Sequence, residues 1–162
     1  MNKKQEYIDK LCLGPHPEGG WYKETYHSEN NFFDDDSKDQ RYFYTSIYFL
    51  LDKNSPSHFH KLNHDELWYY HDGNTITIHC ISPQGKYYKV QLGKDIMNGQ
   101  VLQFKVPKNT IFASEINEDS FCLVSCMVSP GFSYNDFILL RKKELIKQHP
   151  SLKNLIERLT ID

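Results

Sequence analysis

An all-β sandwich or barrel, flanked by short helices at both ends, is the fold class this sequence predicts. Three observations carry it. Between Trp21 and Val128 the chain falls into short runs rich in Tyr, Phe, Ile, Val and Thr, residues that fit a pleated, half-buried surface. Turn-forming clusters punctuate those runs: Asp72-Gly73-Asn74, Pro83-Gln84-Gly85, Asn98-Gly99, Pro107-Lys108-Asn109, Asn117-Glu118-Asp119 and Pro130-Gly131. Helical spacing of apolar residues is confined to the two ends. Many short strands bounded by turns indicate packed sheets or a closed barrel.

The first element is a helix over Asn2–Leu13, with Tyr7, Ile8 and Leu11 as its stripe and Gly14-Pro15 as its stop. Pro15–Tyr22, P-H-P-E-G-G-W-Y, holds two Pro and two Gly and is forced into a defined turn; His16 there is read as a turn residue that bonds backbone. Trp21–His27 is a strand. Ser28–Gln40 is polar and carries Asp34, Asp35 and Asp36. It is expected as a solvated loop, because a run of like charge repels itself and stays hydrated. Arg41–Leu51 is the strongest strand, dense in aromatic and β-branched residues.

Asp72-Gly73-Asn74 reads as a hairpin turn. Thr75–Ser82 and Tyr87–Leu92 alternate with a period of two, and Val101–Val106, Thr110–Ile116 and Phe121–Val128 are further strands. Lys142–Gln148 is helical, and beyond Pro150 the spacing of Leu152, Leu155, Ile156 and Leu159 marks another helix.

A chain of 162 residues with no linker, repeat or low-complexity segment fits one domain, 1–162. The net charge of −2 and the lack of a basic cluster interleaved with aromatics argue against a nucleic-acid partner. No apolar run approaches the ~20 residues of a membrane span, and the first ten residues hold no apolar signal region. The four cysteines form no C-x-x-C pair. Four residues apart on a strand, Cys122 and Cys126 would stand roughly 13 Å apart at ~3.3 Å per residue, too far for a disulfide. Reduced thiols and a cytoplasmic location are therefore expected.

The chemistry concentrates in Ser57–Gly73, which holds His58, His60, His64 and His71, with Glu66, Trp68 and Tyr70. His58 and His60 share a face if their segment is a strand, as do Glu66, Trp68 and Tyr70 on the next. Two imidazoles and a carboxylate from neighbouring strands make a metal-ligand set or an acid/base set. His64 and His71 are expected at the surface; the face of His79 is open. Cys122 and Cys126 are expected to be buried as small apolar residues.

His58-x-His60, then Glu66, then six residues and Gly73 resemble the first motif of the cupin superfamily, with five residues between His60 and Glu66 and Asp52 where a leading Gly would stand. In the second motif Asn109 stands for a Gly and Phe112 for the His. The chain is more closely similar to a subfamily of small single-domain cupins of mostly unassigned function. Its marks resemble P-H-P-E-G-G-W-Y (15–22), E-T-Y (24–26), T-S-I-Y-F-L-L (45–51), F-H-K-L (59–62), D-E-L-W (65–68), G-x-x-x-Q (99–103) and S-P-G-F (129–132). The resemblance implies a cupin jelly-roll β-barrel with short N- and C-terminal helices, a site inside it and a homodimer.

Three functions remain open. The first is binding of a small polar ligand, carbohydrate-like or another small metabolite, with metal-free isomerase or epimerase chemistry like that of the superfamily's sugar-nucleotide epimerases. His60 would be the base, Glu66 or Asp65 its orienting carboxylate and a Tyr such as Tyr48 or Tyr70 the acid; no Arg cluster provides for a pyrophosphate. The second is a divalent transition metal on His58, His60 and Glu66, with the replacement by Phe112 removing one ligand. The third is a non-catalytic binding or sensing module. Ligand contacts are assigned to Trp21, Glu24, His58, Trp68, Tyr70, Gln103, Phe112 and Phe132, with Trp68 and Tyr70 equally suited to a barrel core.

Overall fold

Apolar runs with both faces to bury need a layer on each side, and that requirement shapes the molecule. The computed structural model describes residues 2–161. Helix α1 (Lys3–Lys10) is capped by Asn2, whose side chain accepts from the Lys4 backbone N–H. The strands follow as β1 (Gly14–Pro15), β2 (Trp21–His27), β3 (Asn31–Asp34), β4 (Asp39–Tyr42), β5 (Thr45–Asp52), β6 (Ser57–Lys61) and β7 (Asp65–Gly73). Then come β8 (Ile76–Ile81), β9 (Tyr87–Leu92), β10 (Gln103–Val106), β11 (Ile111–Glu115), β12 (Phe121–Ser129) and β13 (Ile138–Leu139), and the chain ends in helices α2 (Lys142–Gln148) and α3 (Lys153–Arg158).

Two antiparallel sheets stack as a jelly roll. One runs β1-β2-β5-β12-β7-β10, the other β13-β6-β11-β8-β9. Between them lies the main core, which includes Phe49, Leu51, Trp68, Ile76, Ile78, Cys80, Phe112, Cys122 and Val124. On the outer face of the first sheet, Leu50, Phe121 and Leu123 pack with Tyr7, Ile8 and Leu11 of the N-terminal segment. On the outer face of the second, Phe59, Ile81 and Ala113 are covered by Leu145, Ile156 and Leu159. Both neighbours of β8 in the layering are thus apolar, which is why all six of its residues are buried. His79 points to the outer side, between Glu115 at 3.0 Å and the Tyr87 hydroxyl at 2.9 Å.

Three expectations change. Arg41–Leu51 is not one strand: β4 pairs with β3 in a separate ribbon, and only β5 joins the six-stranded sheet. Arg41 lies within β4 with its guanidinium drawn inward to Asp136 at 2.8 and 2.9 Å, and the chain leaves the ribbon after Tyr42. Second, the acidic stretch is not all solvated loop. Asp34 is buried, accepts from the Ser37 N–H and lies 3.0 Å from His64 Nε2, so His64 is buried as well; Asp35 and Asp36 remain exposed. Third, Asp72-Gly73-Asn74 does not close a hairpin but carries the chain from one sheet to the other, with the Asn74 N–H bonded to the Phe121 carbonyl.

Candidate functional site

His60 reaches the interior because β6 alternates: Phe59 turns out to the C-terminal helices and His60 turns in, with 1% of its surface exposed. Its register partner on β11 is Phe112, and the two rings lie 4.1 Å apart. Glu66 and Trp68 share the inner parity of β7; Glu66 lines a cavity while Trp68 is fully buried in the core. The cavity has a volume of about 410 Å³. Its walls also include Ile47, Phe49, Cys126 and Val128, with Tyr22, Lys23, Glu24, Phe132 and Tyr134 nearer solvent.

The segment 14–20 closes it. The Gly19 N–H bonds the His16 carbonyl, and the Gly20 N–H bonds Ser55 Oγ. Gly19 has φ +114, and a Cβ there would stand 1.8 Å from the Pro56 carbonyl oxygen, so no other residue fits. The turn drives Glu18 into the cavity. Its Oε1 accepts from Ser57 Oγ at 2.8 Å, and its Oε2 lies 3.2 Å from His60 Nε2 and 3.7 Å from His16 Nδ1.

Hydrogen bonding fixes the tautomers. His60 Nδ1 is 2.8 Å from the His58 carbonyl; a carbonyl only accepts, so Nδ1 carries the proton and Nε2 faces Glu18. The Glu18 N–H donates to His16 Nδ1, which leaves that ring's proton on Nε2. Burial pushes the Glu18 carboxyl up to about 8. Burial, then the neighbouring Glu18 charge, pushes Glu66 up to about 7. Burial lowers His60, and burial with the His60 charge lowers His16 to about 4. At neutral pH one proton therefore sits between Glu18 Oε2 and His60 Nε2, mainly on the carboxyl. Among the described residues Glu66 Oε2 is buried without a hydrogen-bond partner.

Of the residues singled out in the sequence, His60, Glu66, Glu24 and Phe132 line the cavity, and Phe112 packs behind His60. His58 shares the face of His60 but does not line it: its Nδ1 and its backbone N–H both go to the Glu18 carbonyl. Tyr48 and Trp21 lie on the outer face of the first sheet with the N-terminal helix. Tyr70 donates to the Gly73 carbonyl at 2.6 Å, and Gln103 is exposed on β10. A phenol nonetheless stands at the cavity, since Tyr22 and Tyr134 line it with hydroxyls 3.1 Å apart. Glu18 and His16 were not among the expected residues. The signal was present: an acid and an imidazole inside a turn rigid enough to aim them.

A cupin metal centre asks for three or four His and Glu donors converging on a point. The donor set does not fit. Among the described residues no group of three or more His, Cys, Asp or Glu is arranged to hold a metal ion. His58 is turned onto a carbonyl, and Phe112 occupies the place of the remaining imidazole.

A family model described as "Cupin superfamily (DUF985)" matches residues 5–140. An uncharacterized protein of Saccharomyces cerevisiae is 31% identical over 157 residues, covering 88% of this chain and 78% of its own. A hypothetical protein from Leishmania major superposes with a TM-score of 0.92 at 35% identity, over 99% of this chain and 100% of its own. A protein from Shewanella oneidensis does so with a TM-score of 0.90 at 43% identity, over 99% and 98%. An oxalate decarboxylase mutant from Bacillus subtilis superposes with a TM-score of 0.57 at 13% identity, over 91% of this chain and 37% of its own; that likeness is one of fold.

Proposed function

The chain belongs to the cupin superfamily, in the family described as DUF985, and from there we propose that its barrel binds a small polar metabolite and moves a proton on it with side chains alone. The observation that carries this is the 3.2 Å approach of Glu18 Oε2 to His60 Nε2 beside a second buried carboxyl, Glu66. Two carboxyls held near neutrality suit general acid/base work at physiological pH. Glu66, with an unpartnered oxygen in the cavity, takes the proton from carbon. The Glu18–His60 pair gives a proton to the adjoining carbonyl oxygen as the enol forms. Delivery of a proton to the neighbouring carbon completes an isomerisation, and delivery to the opposite face of the same carbon an epimerisation; in both, the Glu18–His60 pair recovers a proton from oxygen as the carbonyl re-forms.

The test is solvent deuterium exchange. Incubation in D₂O with a panel of small sugars and keto acids should place deuterium on a carbon of one of them, and Glu66→Gln should abolish it. Absence of exchange across the panel removes the catalytic reading. A non-catalytic binding module is the second reading, favoured by the apolar wall of Ile47, Phe49 and Val128; it would show ligand-induced thermal stabilisation without product. The free thiols Cys80, Cys122 and Cys126, all buried, suit a reducing compartment such as the cytoplasm. Among the described residues no helix is long and apolar enough to cross a membrane.

A further inference from the structure

We infer that the ligand of this cavity carries a cationic amine, seated between Glu18 and Glu66 and surrounded by aromatic rings. This rests on the reading that the cavity is a ligand site, and names the chemistry the ligand must bring.

Acceptors outnumber donors at the cavity's inner end. Among the described residues Glu66 Oε2 is buried, lines the cavity and has no hydrogen-bond partner, while the Trp68 indole and the Cys126 thiol lie beside the same carboxyl. Glu18 Oε2 and His60 Nε2 share one proton across their 3.2 Å contact and offer a ligand no further donor. The other proton of the His60 ring is spent on the His58 carbonyl. An anion such as a phosphate or carboxylate brings only acceptors, so it would find no donor here and would leave Glu66 Oε2 unpaired. An ammonium brings three donors and no acceptor.

Charge points the same way. Among the described residues the buried lining holds two carboxyls and no Lys or Arg, and Lys23, a lining cation, is exposed. Two carboxyls out of water without a counter-charge are costly, and each cation that reaches them repays part of that cost. Burial raises the pKa values of both carboxyls, and for Glu66 the neighbouring Glu18 charge adds to it, so a cation placed between them would favour their ionised forms. Around the carboxyls stand Tyr22, Phe49, Phe132 and Tyr134, and aromatic faces attract an organic cation. A volume of about 410 Å³ admits a small amine with a ring or short chain as its body.

The experiment compares three probes that share one ring: cyclohexylamine, cyclohexanol and cyclohexanecarboxylate, titrated by calorimetry into the full chain at neutral pH. The amine should bind at least tenfold more tightly than the alcohol, and the carboxylate should not bind. Glu66→Gln should erase the amine's advantage, and Glu18→Gln should reduce it. The ranking in the parent chain decides alone if either variant fails to fold. Equal binding of amine and alcohol, preference for the carboxylate, or no binding of the amine overturns the inference. Failure here and failure of the proton-transfer reading are separable. A neutral substrate that exchanges deuterium without any advantage for ammonium sinks the charge assignment alone. Tight amine binding with no exchange in any substrate sinks the catalysis alone.

Discussion

Glu18 Oε2 stands 3.2 Å from His60 Nε2, on a ring whose other nitrogen is already committed to the His58 carbonyl. The pair thus holds one proton between two groups that could each have been charged, and burial keeps both neutral. That arrangement has a cost that depends on pH.

Stability should fall between pH 6.5 and 8. Above its ordinary value of 4.5, an unfolded Glu has lost its proton, whereas folded Glu18 and Glu66 keep theirs up to about 8 and about 7. Each therefore subtracts stability as pH rises through that interval, by up to about 1.4 kcal/mol per pH unit. His16 and His60 act in the opposite sense: below the ordinary 6.5 their unfolded rings take protons that the buried rings refuse, so they make stability rise with pH there. The two pairs oppose each other from 4.5 to 6.5, and above 6.5 the carboxyls act alone. Thermal unfolding followed from pH 5 to 9 should show this decline. Glu18→Gln should flatten it and be more stable than the parent at pH 8. A parent Tm that is flat or rising from 6.5 to 8 contradicts the assignment.

Gly19→Ala should lower stability and displace Glu18 together. The left-handed backbone at φ +114 costs a non-glycine residue about 1–3 kcal/mol, and a Cβ would meet the Pro56 carbonyl oxygen at 1.8 Å. Gly14→Ala is the control: a Cβ there meets nothing within 4 Å, and the change should stay within about 0.5 kcal/mol. Equal Tm values for the two variants would show that the turn is not what aims Glu18.

Much of the fold and part of this site were legible in the sequence, for reasons of range. β8 and β9 announce themselves because a strand's alternation is local, and His60 and Glu66 because a period of two puts them on inner faces. Tyr48 and Tyr22 look alike in sequence, but parity against β5 and cover from the N-terminal helix put Tyr48 outside while Tyr22 lines the cavity. Glu18 depends on two positive-φ glycines and on Ser57, 39 residues away. Asp34 and His64 look like surface residues because the groups that accompany them inside, Arg41 and Asp136, lie 95 residues apart. Partners at that separation leave no periodic trace.

Arg41 and Asp136 form a latch whose loss should be costly. Their side chains are 4% and 5% exposed, and the guanidinium bonds both carboxylate oxygens, at 2.8 and 2.9 Å. Asp136 anchors the segment that brings Phe132 and Tyr134 to the cavity. Removing one partner strands a buried charge, so Asp136→Asn or Arg41→Met should cost about 3–5 kcal/mol in urea unfolding. The double change Arg41→Met with Asp136→Leu should recover much of that loss, since an apolar pair leaves no charge behind. A double variant no better than the worse single one would mean that Arg41 acts chiefly through Asp39 instead.

Protein prepared without an affinity tag should carry no stoichiometric transition metal. The reason lies in the donors: His58 is held to the Glu18 carbonyl by Nδ1, and Phe112 faces His60 where a further imidazole would complete a set. Exposure to EDTA should therefore leave Tm unchanged. One equivalent of metal by elemental analysis, lost on His60→Ala, would require His58 to turn inward and would return the acid/base proposal to the metal-dependent alternative.

The ribbon of β3 and β4 should be where a second copy of the chain docks. Among the described residues it pairs with no other strand and stands as a sheet of its own. Phe33 and Phe43 are 55% and 52% exposed, and Tyr26, on nearby β2, is 71% exposed. Phe32 stacks on Phe43 at 5.0 Å, and His27 on Tyr42 at 4.1 Å, so these rings are already ordered as a surface. Ordered aromatics in such density are more typical of an interface than of a solvated monomer. A symmetric dimer would place ribbon against ribbon or ribbon against β2 of the partner, burying the rings on both copies at once. Light scattering at micromolar concentration should give twice the chain mass, and Phe33→Glu with Phe43→Glu should shift it to one. A parent chain that runs as a monomer refutes the dimer. A charged double variant that stays dimeric refutes only this surface and moves the contact to the free edges at β10 or β13.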